Sequence, residues 1–404
     1  MESQNSNETI SQPETRVSFS WSSLIPRLHA ALKTMRYPIG EKRDLRLDVM
    51  RGLAVFVMVV DHFGGSSWLY LLTGNNSFFT SGAEAFVLIS GMVVGIVYGG
   101  IALREGLKSA IVKALQRAFT LYKLTIVMTL AFALISDWFQ LPWAKGVDLG
   151  DPVAFVMNVM LLRQTYYLAD IPLMYTLLMA FAPIGLWLLV TRRTAVLVIG
   201  SLVLWAGFQF VNLEQIMIMP IVGNTTFHPA AWQLLFFGAM AFGFHRNEIL
   251  RHFQRIPRVP YFVASALLFF WLLHLYGTEV PLLAQTNPGI DITTIVSDLF
   301  NKSTVAPGRI LATIIVFQFV YLVLTYLWKP LWGGIGWFFA PLGQNSLYSY
   351  TMHVVIIGLF YVVLPYLPGQ ITQQGTINTA LQLGVLVLLW ILIRQHFAFE
   401  IVPR

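Results

Sequence analysis

Residues 43–99 read RDLRLDVMRGLAVFVMVVDHFGGSSWLYLLTGNNSFFTSGAEAFVLISGMVVGIVYG, and the reading of the whole chain turns on them. Two apolar runs lie here, each carrying ionisable side chains where a membrane helix normally has none. Nine uncharged residues, 52–60, separate Arg51 from the Asp61-His62 pair. On an α-helix the step from Arg51 to His62 turns about 1100°, within roughly 20° of three full turns, and rises about 16 Å. Arg51 and His62 therefore share one face. A hydrocarbon core is about 30 Å thick, so an arginine at one interface puts the histidine past the midplane. Such a polar stripe is costly in a membrane helix and is usually functional.

Composition sets the surroundings. Hydrophobic residues make up 56% of the 404 and charged ones 11%, with a mean hydropathy of +0.67, values outside the range of soluble domains. The chain reads as an all-α, polytopic membrane protein. A net charge of +7 would suggest nucleic acid in a soluble chain, but in a membrane protein the placement of the charges matters more than their sum. Cysteine is absent, which removes disulfides, thiolate metal sites and thiol nucleophiles.

Residues 1–15 form a polar tail with no apolar run, unlike a signal peptide. Residues 17–37 mix aromatics with Arg27, Lys33 and Arg36 and read as an amphipathic segment lying on the membrane surface. Residues 1–42 are thus a cytoplasmic tail and 43–404 one membrane domain. Ten apolar segments follow, at about 52–72, 82–100, 118–138, 171–191, 195–212, 229–244, 260–278, 309–328, 344–367 and 377–394. The first contains a possible early stop at Gly64-Gly65. With the N-terminus inside, the inner loops collect most of the arginines and lysines, while the outer loops hold Lys145, Arg163 and Lys302, with Arg309 opening a helix. This asymmetry predicts an even number of spans with both termini cytoplasmic, and places His62 toward the outside. Within the outer segment 139–170, about eleven apolar-rich residues precede Arg163, too few to cross, and predict an interfacial or re-entrant element.

The residues RDLRLDVMRGLAVFVMVVDH and LTGNNSFFTSGAEAFVLISGMVVGIVYG resemble the OpgC family, the succinyltransferases of osmoregulated periplasmic glucans within the acyltransferase type 3 superfamily. The spacing Arg51-x10-His62 is that superfamily's hallmark. YYLADIPLMYTLLMAFAPIGLWLL, HPAAWQLLFFGAMAFG and LGQNSLYSYTMHVV resemble the family more loosely. The resemblance implies a ten-helix bundle in the inner membrane. It implies an acyl group, succinyl or acetyl, moving from cytoplasmic acyl-CoA as co-substrate to a hydroxyl of an extracytoplasmic glucan or other polysaccharide.

The residues themselves suit that chemistry. Acyl transfer to a hydroxyl needs a base and a means of stabilising the developing oxyanion. His62 is the one histidine in the first two segments, and neutral imidazole accepts a proton near neutral pH; the bland alternative is a histidine satisfied at a helix end. Glu84, at the outer start of the second segment, is the expected orienter of His62, against the alternative of a carboxylate at a helix N-terminus. Asp61 is either a second orienter or a structural acceptor for an arginine. Arg51 suits CoA phosphate, or else pairs with Asp48, and Lys123 adds to such a surface or merely sets topology. Trp232, Gln233, Arg309, Tyr348 and His353 are candidates for holding the acceptor or acyl group, each with an interfacial or packing alternative. No Walker motif, HExxH or other metal-ligand pattern occurs, so no metal is expected. A proton-coupled secondary transporter is the rival reading, since buried Arg, Asp, Glu and His suit a porter too.

Overall fold

The computed structural model describes residues 34–38, 43–141, 150–210, 221–253, 257–287, 289–367 and 369–404. The tail before residue 34, with most of the expected amphipathic segment, lies outside them. Among the described residues the chain is helical, and its one β contact is an isolated bridge between Gln164 and Val222.

Each of the ten apolar segments falls on a helix: α1 Leu45–Phe63, α2 Gly82–Glu105, α3 Leu107–Phe139, α5 Asp170–Val190, α6 Thr194–Phe210, α7 Pro229–Phe244, α8 Arg258–His274, α9 Pro307–Tyr326, α11 Ser346–Val363 and α12 Gly375–Arg394. Two shorter helices matter to the packing: α4 Pro152–Met160, in the segment expected to lie at the interface, and α10 Trp337–Gln344. With nine residues, α4 rises about 14 Å, under half a hydrocarbon core. Among the described residues seven helical stretches are long and apolar enough to cross a membrane, and α6 and α7 are apolar but shorter. The remaining helix, α1, carries Arg46, Asp48, Arg51 and Asp61 within its nineteen residues, the polar load that singled it out in the sequence.

Local chemistry sets where α1 begins and ends. The Asp44 carboxylate accepts from the Arg46 amide as N-cap, satisfying a donor that the first turn leaves free. At the other end Gly64 and Gly65 have φ of +73° and +77°, a region open to glycine and costly for side chains with a Cβ. The run 52–72 is therefore cut after Phe63. Beyond the glycines the chain makes a short turn of helix, Tyr70–Thr73, on its way to α2.

Close packing is achieved where side chains are absent. On α2, Gly91 and Gly95 lie against the Phe236 and Met240 carbonyls of α7, and a Cβ at either would collide with them. Small residues at this four-residue spacing bring membrane helices into backbone contact. Gly52 of α1 and Gly343 of α10 meet the Phe339 and Asp48 carbonyls in the same way. Around this core the outward faces are apolar: Leu103, Val127, Leu134, Val203, Leu267 and Phe270 are exposed. Exposed apolar surface of this extent belongs in hydrocarbon rather than water.

Candidate active site

The last turn of α1 ends in carbonyls that the helix itself cannot satisfy. Other helices supply the donors. Tyr361 of α11 donates to the Phe63 carbonyl at 3.0 Å, Asn378 of α12 to Gly64 at 2.8 Å, and Gln382 of α12 to Val60 at 3.2 Å. Asn378 and Gln382 are fully buried, so the turn bearing Asp61 and His62 is clamped from two sides. Nothing local in the sequence marks Asn378 or Gln382 for this task; each reads as a polar interruption of an apolar run.

His62 Nδ1 lies 2.9 Å from Nε2 of His353 on α11. The rings are inclined by only 20° with centroids 5.2 Å apart, roughly the N···N separation plus one ring radius at either end, so the imidazoles meet edge to edge. His353 is fully buried. Its Nδ1 faces the Ser349 carbonyl one turn earlier at 3.3 Å, and Tyr350 packs edge-on against its ring. His353, considered from the sequence as a binder of acceptor or acyl group, is thus the direct neighbour of His62.

Asp61 accepts from the Thr73 hydroxyl through Oδ1 at 2.7 Å, while its Oδ2 is buried with no hydrogen-bond partner. Asp61 and His62 both line a small cavity, together with Asn76, the first turn of α2 at Ser81, Gly82 and Ala83, and Ile171, Phe227 and Lys302. Lys302, noticed in the sequence only as an outer-loop charge, has its ammonium 3.3 Å from the Asn76 side-chain oxygen and 5.6 Å from the Phe227 ring centre. Desolvation pushes the Lys302 ammonium below its ordinary range; Glu84, Asp170 and Asp61 pull the other way, and Arg309 adds to the lowering.

The expected contact between Glu84 and His62 is not the one formed. Glu84 is fully buried and Arg309 is 4% exposed, and the two make an ion pair from Arg309 Nε to Glu84 Oε1. Glu84 Oε2 accepts from the Ser81 amide at 2.9 Å and the Ser81 hydroxyl at 2.6 Å. Both oxygens are occupied. The residues Ser81-Gly82-Ala83-Glu84 form a capping box, which turns the carboxylate back over the start of α2, and burial then demands a cation. Arg309 is taken up in meeting that demand and in donating to the Phe300 carbonyl at 3.0 Å. Its Nη2 is buried without a partner.

Arg51 lies toward the other end of α1. Asp48 is bound by Arg43 at 2.7 and 2.9 Å, and the Nε of Arg51 is buried with no hydrogen-bond partner. Arg117 of α3 and Tyr175 of α5 are among the groups that act on it electrostatically. Lys123 is not brought to this place: it is exposed, with its ammonium over the Phe119 ring at 5.1 Å. Trp232 and Gln233 are buried in helix packing. The indole donates to the Thr226 carbonyl at 2.9 Å, and the Gln233 amide exchanges bonds with Ser201 of α6. Tyr348 is buried with its hydroxyl unpartnered and its ring against Phe399.

A family model described as OpgC protein matches residues 43–396, nearly the whole chain. No curated protein and no solved structure matches.

Proposed function

This chain belongs to the OpgC family, and we propose that it is a membrane O-acyltransferase that moves an acyl group from cytoplasmic acyl-CoA to a hydroxyl of an extracytoplasmic glucan. The observation that carries the reading is the placement of His62. Its imidazole lines a cavity beside a carboxylate with one oxygen unpartnered, on a helix turn clamped by three side chains from α11 and α12. A general base needs such immobility, because a small misplacement of the reacting atoms is expensive. In this reading the acceptor hydroxyl gives its proton to His62 as its oxygen attacks the thioester carbonyl. The new C–O bond forms, the C–S bond breaks, and the proton passes to the departing thiol. Asp61 Oδ2 orients the acceptor by accepting from a neighbouring sugar hydroxyl. Arg51, with its buried unpartnered Nε, receives a phosphate of CoA, and the rise of about 16 Å to His62 is one that an extended pantetheine arm covers.

The bond network supports this reading over a proton-coupled porter. Both oxygens of Glu84 are bound to Ser81 and Arg309, leaving that carboxylate committed rather than free to carry protons. The deciding experiment uses the protein in lipid nanodiscs with acyl-CoA and a periplasmic glucan. Free CoA is followed with a thiol reagent, which the chain itself, having no cysteine, does not consume. Glucan-dependent release of CoA with ester appearing on the glucan supports transfer. Intact acyl-CoA in the presence of acceptor, with solute accumulation in proteoliposomes, establishes the porter instead.

A further inference from the structure

Resting on His62 as the base, the geometry points to His353 as the residue that sets the tautomer of His62 and aims its Nε2 at the acceptor, an uncharged positioning group. A neutral imidazole has one N–H and one bare nitrogen, so a chain of imidazoles has a direction set by whatever lies at its end. Here the end is the Ser349 carbonyl, which only accepts. At 3.3 Å from His353 Nδ1, it places the proton on that nitrogen, since a bare Nδ1 would set one lone pair against another. His353 Nε2 is then bare and accepts. His62 Nδ1, 2.9 Å away, therefore carries the hydrogen and donates it. What remains is His62 Nε2, bare, on a residue that lines the cavity shared with Asp61.

The near-coplanar rings fit a hydrogen bond running along the line between them. Burial of His353 and the edge-on Tyr350, whose own hydroxyl is tied to the Leu168 carbonyl at 2.6 Å, hold the second ring in place. In the reaction no proton leaves His353. The acceptor's proton goes to His62 Nε2 as the C–O bond forms, and from there to the sulfur as the C–S bond breaks. His353 Nε2 keeps its bond to His62 Nδ1–H throughout, so the imidazole neither rotates nor changes tautomer.

The arrangement differs from one in which a carboxylate orients the base, and the difference is measurable. His353→Leu fills the buried site with an apolar side chain and leaves the His62 N–H without an acceptor. We expect kcat to fall about 10- to 100-fold, the scale of a modest misplacement, with the KM for acyl-CoA unchanged. His353→Gln presents an amide oxygen where Nε2 was and is expected to recover most of that loss. In protein labelled with ¹⁵N-histidine and reconstituted in nanodiscs, the signals lost in His62→Ala identify His62. They should show a protonated Nδ1 and a bare Nε2. Folded His353→Leu with wild-type kcat, folded His353→Gln no more active than His353→Leu, or a His62 signal protonated at Nε2 would each overturn the assignment. If His353→Leu does not fold, the tautomer of the wild-type protein still decides. A fully active His62→Ala variant refutes the base itself, a result separable from all of these.

Discussion

Replacing Arg309 by methionine tests what Glu84 is for. In the wild type the Glu84 carboxylate is fully buried and Arg309 is 4% exposed. The carboxylate is held by the guanidinium and by the amide and hydroxyl of Ser81. Removing the arginine keeps the two Ser81 bonds and strands a buried anion, and breaking one partner of a buried pair costs about 3–5 kcal/mol. Solvent screening does little to soften this, since neither group reaches water. Glu84→Gln strands the cation instead, and its single amide oxygen can accept from Arg309 or from the Ser81 amide but not from both. It should cost about as much by the same argument. The double variant Glu84→Gln, Arg309→Met removes both charges of the pair and should be more stable than either single one. Thermal unfolding of the detergent-solubilised protein, followed by its tryptophans, measures all three against wild type. Acyl transfer per folded molecule is measured in parallel and should survive in the double variant, because the Glu84 carboxylate does not bind His62. A Glu84→Gln protein that unfolds like wild type yet has lost turnover refutes this reasoning and returns Glu84 to the orientation of His62.

Arg51→Ala should raise the KM for acyl-CoA more than it lowers kcat, since a phosphate contact made equally in ground and transition states is uniform binding. Arg51→Lys should recover part of the loss, keeping the charge without the two-pronged geometry; steady-state kinetics in nanodiscs decide. Lys302, its folded-state pKa lowered by burial, binds its proton less tightly in the folded than in the unfolded chain. That penalty is fully present below the folded pKa and is relieved as pH rises from there toward the ordinary lysine range. Wild type should therefore gain stability over that alkaline window relative to Lys302→Met, and equal pH slopes of the unfolding midpoint would count against it. For topology, cysteines placed at the exposed Ser77 and Thr225 should react in whole cells with an impermeant thiol reagent. Cysteines at the exposed Arg104 and Arg251 should not, and the reverse pattern would invert the orientation taken from the basic residues.

The helices were legible in the sequence, and in places to the residue: the segment expected at 229–244 is α7, Pro229–Phe244. An apolar run with its caps is a local property, and the backbone must satisfy its own hydrogen bonds wherever the solvent is hydrocarbon. The shared face of Arg51 and His62 follows from helical periodicity alone. So does the depth of each polar group along its helix. What sequence could not supply was partnership. His62 meets His353 across 291 residues and Glu84 meets Arg309 across 225; periodicity says which way a side chain points on its own helix and nothing of which helix it finds there. Glu84 had two readings, orienter of the base or carboxylate at a helix start, and its contact with Arg309 exists only once α9 is packed against α2. The same holds for Asn378 and Gln382, polar breaks in an apolar run until α12 is laid beside the end of α1. In a chain this apolar, almost any face of any helix can be buried against another. The pairing is set by the few buried polar groups that have to find one another and by the glycines that let the backbones meet, and both act only once the whole bundle is assembled.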